Sequence, residues 1–106
     1  MKAKEFKFTL YLGLNDKDTK QQEVSTLEAY KVVKNMIVSR FGGGTIFEAL
    51  GVYTHEDGTI TTEKTLRIEL LFTNDASVKE FVAALKEAFN QESVAVEKSV
   101  INSELW

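Results

Sequence analysis

The spacing of apolar residues changes along this chain in a definite order: period two, then three to four, then two stretches of period two, then three to four, then two again. Period two marks a strand with one covered face, and a period near 3.6 marks a helix with one covered stripe. Strand, helix, strand, strand, helix, strand is the order of a split β-α-β unit. The expected fold class is therefore α+β: a ferredoxin-like β-α-β-β-α-β sandwich, one four-stranded antiparallel sheet with two helices on one face. A length of 106 residues suits a single domain, 1-106, around one core. Many unrelated functions use this architecture, so function has to be argued from a site.

The first strand is expected over Glu5 to Leu14, with Phe6, Phe8, Leu10 and Leu12 on one face. Asn15 to Gln22 has no apolar period and reads as a solvated loop. Ser25 and Glu28 form a capping box ahead of a helix over Thr26 to Phe41, with Tyr30, Val33, Ile37 and Phe41 as its buried stripe and Gly42 ending it. The second strand begins near Thr45. Ile46, Leu50 and Val52 agree in phase but share their face with Glu48, and Phe47 and Ala49 offer the opposite phase; a bulge near Gly51 would reconcile them. Asp57-Gly58 marks a hairpin turn after His55. The third strand is expected over Thr59 to Phe72, with Leu66, Ile68, Leu70 and Phe72 inward. Asn74 or Asp75 caps a second helix whose stripe is Val78, Phe81, Val82, Leu85, Ala88 and Phe89, with Asn90 ending it. The last strand covers Glu92 to Ile101, where Lys98 interrupts the apolar side and suits an edge.

Composition excludes several chemistries. There is no cysteine, so disulfides, thiolate nucleophiles and zinc–sulfur sites are out. A formal charge of −3 supplies no field to attract a phosphate backbone, so no nucleic-acid partner is expected. No apolar run approaches the ~20 residues of a membrane span, and no membrane association is expected. The basic start Met1-Lys2-Ala3-Lys4 leads into alternation rather than a signal-peptide block, which makes the cytoplasm the default location.

The local motifs divide into bland and sharper readings. Gly42-Gly43-Gly44 follows a helix, whereas phosphate cradles precede one, so it reads as a turn. Asp16 and Asp18 begin a calcium-loop pattern that fails at Lys20 and Gln21, and no metal site is expected. His55, the only histidine, reads as a surface imidazole at a hairpin tip. The uncovered sheet face should carry Lys7, Thr9, Tyr11, Arg67, Glu69, Leu71, Ala95, Glu97 and Ser99. An RNA platform there would need aromatic residues on both central strands, and the third strand offers none. Tyr11, Arg67, Glu69 and Glu97 read as an ion-pair cluster or as the lining of a small pocket. Trp106 after Leu105 reads either as packing over its own sheet or as an anchor in a partner subunit.

Several of these residues also carry a resemblance. Leu10-Tyr11-Leu12-Gly13-Leu14 is similar to the opening of the small bacterial family catalogued as domain of unknown function 3574. Arg40-Phe41-Gly42-Gly43-Gly44-Thr45 resembles its Arg-Phe-Pro-x-Gly-Thr turn, with glycine in place of the proline. Gly51 and Gly58 match the glycines flanking its hairpin, Glu63 the acid of the returning strand, and Gln91-Glu92-Ser93-Val94 its Gln-x-Ser-Val motif. The family's Gly-x-Trp is Gly51-Val52-Tyr53 in this chain. The resemblance implies the same ferredoxin-like fold and brings no established chemistry.

The candidate pocket or interface residues are therefore Tyr11, Arg40, Tyr53, Glu63, Arg67, Glu69, Gln91 and Trp106. The first functional expectation is a non-enzymatic binding or protein-interaction module, without cofactors, that forms a homodimer. The alternatives are a small cofactor-independent enzyme of the dimeric α/β-barrel type and an acidic inhibitor or regulator of another protein.

Overall fold

The structure is a computed structural model and describes residues 5–106. The basic start at residues 1–4 lies outside the described residues. The elements are β1 (Glu5–Gly13), α1 (Thr26–Phe41), β2 (Thr45–Thr54), β3 (Ile60–Leu70), α2 (Asp75–Ala88) and β4 (Ala95–Ile101). They form one antiparallel sheet in the order β2-β3-β1-β4, with β1 and β3 in the centre. This is the ferredoxin-like arrangement that the sequence predicts.

The register explains which side chains meet. Phe8, Leu10 and Leu12 pair with Leu70, Ile68 and Leu66, so one face of the two central strands is continuously apolar. The helices cover that face. Leu10, Leu12, Leu66, Ile68, Leu70, Val33, Phe81 and Leu85 are fully buried there, and Phe6 packs at the margin of the same core. Phe41 and Phe81 join α1 to α2 edge-to-face at 5.2 Å between ring centres, a favoured quadrupole arrangement. Ser25 Oγ accepts from the Glu28 amide, and Asn74 Oδ1 accepts from the Ser77 amide, so each helix starts on a side-chain cap. Gly42 closes α1 and Asn90 follows α2, both in left-handed backbone.

Several expectations change in detail. Ala29, not Tyr30, completes the α1 stripe; Tyr30 and Ala88 are exposed. Phe72 lies past the end of β3 with φ 57 and its ring outside the core. The β2–β3 register runs from Thr45↔Glu69 to Thr54↔Ile60 without a bulge. Ile46, Glu48, Leu50 and Val52 therefore do share the helix-side face, but only Ile46 reaches the core. The reason is geometric. β3 pairs with β1 only from Thr65 onward, so the earlier part of the hairpin projects beyond the helices as a two-stranded arm. Leu50, Val52 and Ile60 are left exposed on it. At its tip only Gly58 takes positive φ, at 87°, while Asp57 accepts from the amide and hydroxyl of Thr59.

Candidate functional site

The sheet face away from the helices carries the odd-numbered residues of β1, β2, β3 and β4. Its two ends differ. Toward the start of β1, Lys7 pairs with Glu69 at 2.8 Å and Arg67 donates to the same carboxylate at 3.0 Å. The Arg67 guanidinium also lies 5.5 Å from the centre of the Phe47 ring, within cation–π range. Lys7, through a charge-assisted hydrogen bond, holds Glu69 below the ordinary carboxylate range, and Arg67 adds to this. Two cations thus share one carboxylate at this end, and Arg67 Nε is buried without a hydrogen-bond partner.

The other end forms a cavity of about 600 Å³ where β1 runs out into its loop and the hairpin arm rises. Tyr11, Gly13, Asn15, Asp16, Lys17, Lys20, Tyr53, His55, Thr61, Glu63, Gln91, Glu92, Ser93 and Ala95 are on its walls. Glu63 is the acid that the hairpin arm brings to it. Its carboxylate accepts from the Asn15 amide at 2.9 Å and lies flat over Gly13. A Cβ at Gly13 would stand only 2.5 to 2.7 Å from the three carboxyl atoms, so the missing side chain makes the space for the acid. Tyr53 leans back over Gly51, the cross-strand partner of Glu63, with its hydroxyl toward the Glu63 carboxylate. Partial burial raises the Tyr53 phenol above its ordinary range, and the nearby carboxylate of Glu63 adds to the rise. Tyr11 donates to Glu97, which likewise raises its phenol. His55 Nε2 lies 2.7 Å from Thr61 Oγ1.

The loop after β1 is fastened from below by the segment after α2. Asn90 Nδ2 donates to both Asp16 and Asp18, at 3.0 and 2.8 Å. Gln91 Nε2 donates to the Asn15 carbonyl at 2.6 Å, and the Lys17 amide donates to the Asn90 carbonyl at 3.1 Å. Asp16 also accepts from the amides of Asp18 and Thr19. The bond from Asn90 first, and these amides next, hold Asp16 below the usual carboxylate range. The stretch that reads as a solvated loop is thus a fixed wall.

Of the sequence-derived candidates, Tyr11, Tyr53, Glu63 and Gln91 converge on this cavity. Arg40 lies exposed in the last turn of α1, Arg67 and Glu69 belong to the ion cluster, with Arg67 the cross-strand partner of Tyr11, and Trp106 is fully exposed. Leu105 borders a different hollow with Phe41, Phe72 and Lys7. Sequence reasoning missed Asn15, Lys17 and Lys20 and set His55 aside. The one local signal was Gly13 inside an apolar strand, a sign of close approach. Among the described residues no group of three or more histidine or acidic side chains is placed to hold a metal ion. No helix is long and apolar enough to cross a membrane.

A ferredoxin-like sheet with a cavity at one end of its uncovered face defines a class of small α+β proteins. Within that class the chain belongs to the family described as "Protein of unknown function (DUF3574)", whose model matches residues 7–104. Among solved structures it is similar to a phage SAM lyase in complex with S-methyl-5'-thioadenosine, with 25% identity over 94% of this chain and 84% of that one and a TM-score of 0.69. A phage SAM lyase in the apo state matches at 25% identity over 100% and 98% of the two chains, with a TM-score of 0.62. CutA of Pyrococcus horikoshii shares the fold, at 18% identity over 94% and 87% of the chains and a TM-score of 0.58. The comparison with curated proteins gives no match.

Proposed function

We propose that the cavity around Glu63 binds S-adenosylmethionine and that the chain cleaves it to S-methyl-5'-thioadenosine. The observation that carries this reading is the Glu63 carboxylate, held over Gly13 by the Asn15 amide beside the Tyr53 hydroxyl. It supports the second class of function considered above, a cofactor-independent enzyme, over a purely non-enzymatic module. The likeness to a SAM lyase over 94% of the chain supplies the substrate class.

The chemistry follows from the two molecules. S-methyl-5'-thioadenosine keeps the adenosyl group, the sulfur and its methyl, so the bond broken joins sulfur to the amino-acid chain. Sulfur takes that electron pair and loses its positive charge. The carbon left behind completes its valence within the substrate. It does so by bonding to the substrate's own carboxylate oxygen, closing a lactone, or by giving up a neighbouring proton to solvent water to form an alkene. Neither route consumes water, and product analysis separates them. A carboxylate placed on the sulfonium would stabilise the ground state more than the transition state, in which that charge is fading. Glu63 therefore serves best on the substrate's α-ammonium, orienting the chain. The tyrosine rings provide the less polar wall that favours charge cancellation.

The experiment is incubation with S-adenosylmethionine followed by chromatography and mass spectrometry. Thioadenosine release by the wild-type chain and its loss in Glu63→Gln are the expected results. No nucleoside binding and no release at protein in excess over substrate would overturn the reading.

Self-association as a homodimer is the second part of the proposal. Leu50, Val52 and Ile60 on the arm, Val96 and Val100 on β4, and Trp106 leave apolar surface at both edges of the sheet, which supports an interface. Light scattering at micromolar concentration tests it, and a monomer mass would remove it.

A further inference from the structure

The charged groups of the cavity are not spread evenly. Lys17 and Lys20 both come from the loop after β1, on the wall next to the Asn15 amide that holds Glu63. That loop is fixed by Asn90 and Gln91 through side-chain and backbone hydrogen bonds. Lys20 adopts a left-handed backbone, φ 62, unusual for a long side chain, and its ammonium donates to the Lys17 carbonyl. Among the described residues the Lys17 ammonium makes no direct ion pair, and its charge acts on Asp16 beside it. Asp16 and Asp18, the acids on either side of it, are both engaged by the Asn90 side chain, and Asp16 also by the amides of Asp18 and Thr19. Two cations thus line the cavity beside the hydrogen-bonded carboxylate of Asp16 and with Glu92, while the neighbouring wall carries the carboxylate of Glu63. That is a complement to a zwitterion, with an anion and a cation a few bonds apart.

We infer that Lys17 and Lys20 bind the α-carboxylate of the substrate's amino-acid end, while Glu63 takes its α-ammonium. The inference rests on the nucleoside reading above and deepens it: it assigns the loop after β1 to the amino-acid half and leaves the nucleoside half to the tyrosine side. The lysines then discriminate between the whole substrate and its thioadenosine product, which has no carboxylate. Release of product follows from the same contact, because cleavage detaches the group that the lysines hold.

The test is calorimetric titration of wild type and Lys17→Met/Lys20→Met with two stable probes. S-adenosylhomocysteine carries the amino-acid end, and S-methyl-5'-thioadenosine does not. Both lysines are exposed, so the variant keeps the core intact. In wild type, S-adenosylhomocysteine should bind more tightly, and added salt should weaken it selectively. The variant should lose roughly tenfold or more in affinity for it, the scale of hydrogen bonds to a charged group. Its affinity for the thioadenosine should hold. Equal weakening of both probes, or no change for either, overturns the lysine assignment and leaves the nucleoside reading standing. Binding of neither probe by the wild-type chain overturns both.

Discussion

Replacing Gly13 by alanine isolates the geometry on which the site depends. The new methyl carbon would stand 2.5 Å from Glu63 Oε1, 2.6 Å from Cδ and 2.7 Å from Oε2. Ordinary contact begins near 3.5 Å, so the carboxylate must withdraw by about 1 Å. Withdrawal breaks the 2.9 Å bond from the Asn15 amide and separates Glu63 from Tyr53. The gross loss is that of one hydrogen bond to a charged group, roughly 1.5–3 kcal/mol. Two effects offset it. The end of Glu63 can swing into the cavity and be hydrated, and alanine reduces the freedom of the unfolded chain by about 0.4–1 kcal/mol. The net destabilisation is about 1 kcal/mol, a fall of about 4–8 °C in Tm. Catalysis is far more sensitive, since a misplacement of about 1 Å costs on the order of a hundredfold in rate. Gly13→Ala should therefore fold, melt slightly early by circular dichroism, and release thioadenosine about a hundredfold more slowly. Tyr53 gives a readout independent of any reaction. Its phenol is raised partly by the charge of Glu63, so in the variant its NMR titration should move down toward the ordinary value. An unchanged Tyr53 titration together with an undiminished rate would refute the argument.

Other outcomes follow from the packing and the clasps. Phe81→Ala removes a fully buried ring that meets Phe41, and urea unfolding should show a loss of about 3–5 kcal/mol. Asn74→Ala deletes the α2 cap and should cost about 0.5–2 kcal/mol in the same assay. The folded state depresses the Asp16 carboxyl, so its stabilising effect is complete above the unfolded value near pH 3.9 and is lost as pH falls through the lower folded value. The Asn90 side-chain amide resonances should shift in that acid window and not between pH 5 and 8. Tyr53→Phe should keep the fold and relax Glu63, seen as a changed chemical shift at the Asn15 amide.

Much of the fold was legible because the strongest signals lie in the core. Leu10 and Leu12 against Leu66 and Ile68 give a clean period of two, and Val78, Phe81 and Leu85 give a clean helical stripe. The signals failed where burial stops. Leu50 and Val52 have core-like character but lie on the arm beyond the helices, and no rule of periodicity marks where a covering layer ends. Phe72 continues the alternation of β3 in sequence, yet the backbone turns left-handed there and the ring leaves the core. The site was half legible. Tyr11, Glu63 and Gln91 were drawn together by family resemblance, not by spacing, while Arg40 went to the opposite pole with the same support. Asn15, Lys17 and Lys20 escaped because their order comes from Asn90 and Gln91, some seventy positions away in the chain. Such a clasp leaves no periodic trace.

Tyr53, His55, Thr61 and Glu63 all ride on the unsupported stretch of the hairpin, where neither helix backs the sheet. Local opening of that stretch exposes little apolar surface and so requires far less free energy than global unfolding. On the proposed lyase reading, loss of activity on warming should thus precede loss of the fold. Backbone amides of Gly51 to Thr54 should exchange with deuterium long before those of Leu10 or Ile68, which makes heat tolerance of function and heat tolerance of structure two separate properties of this molecule.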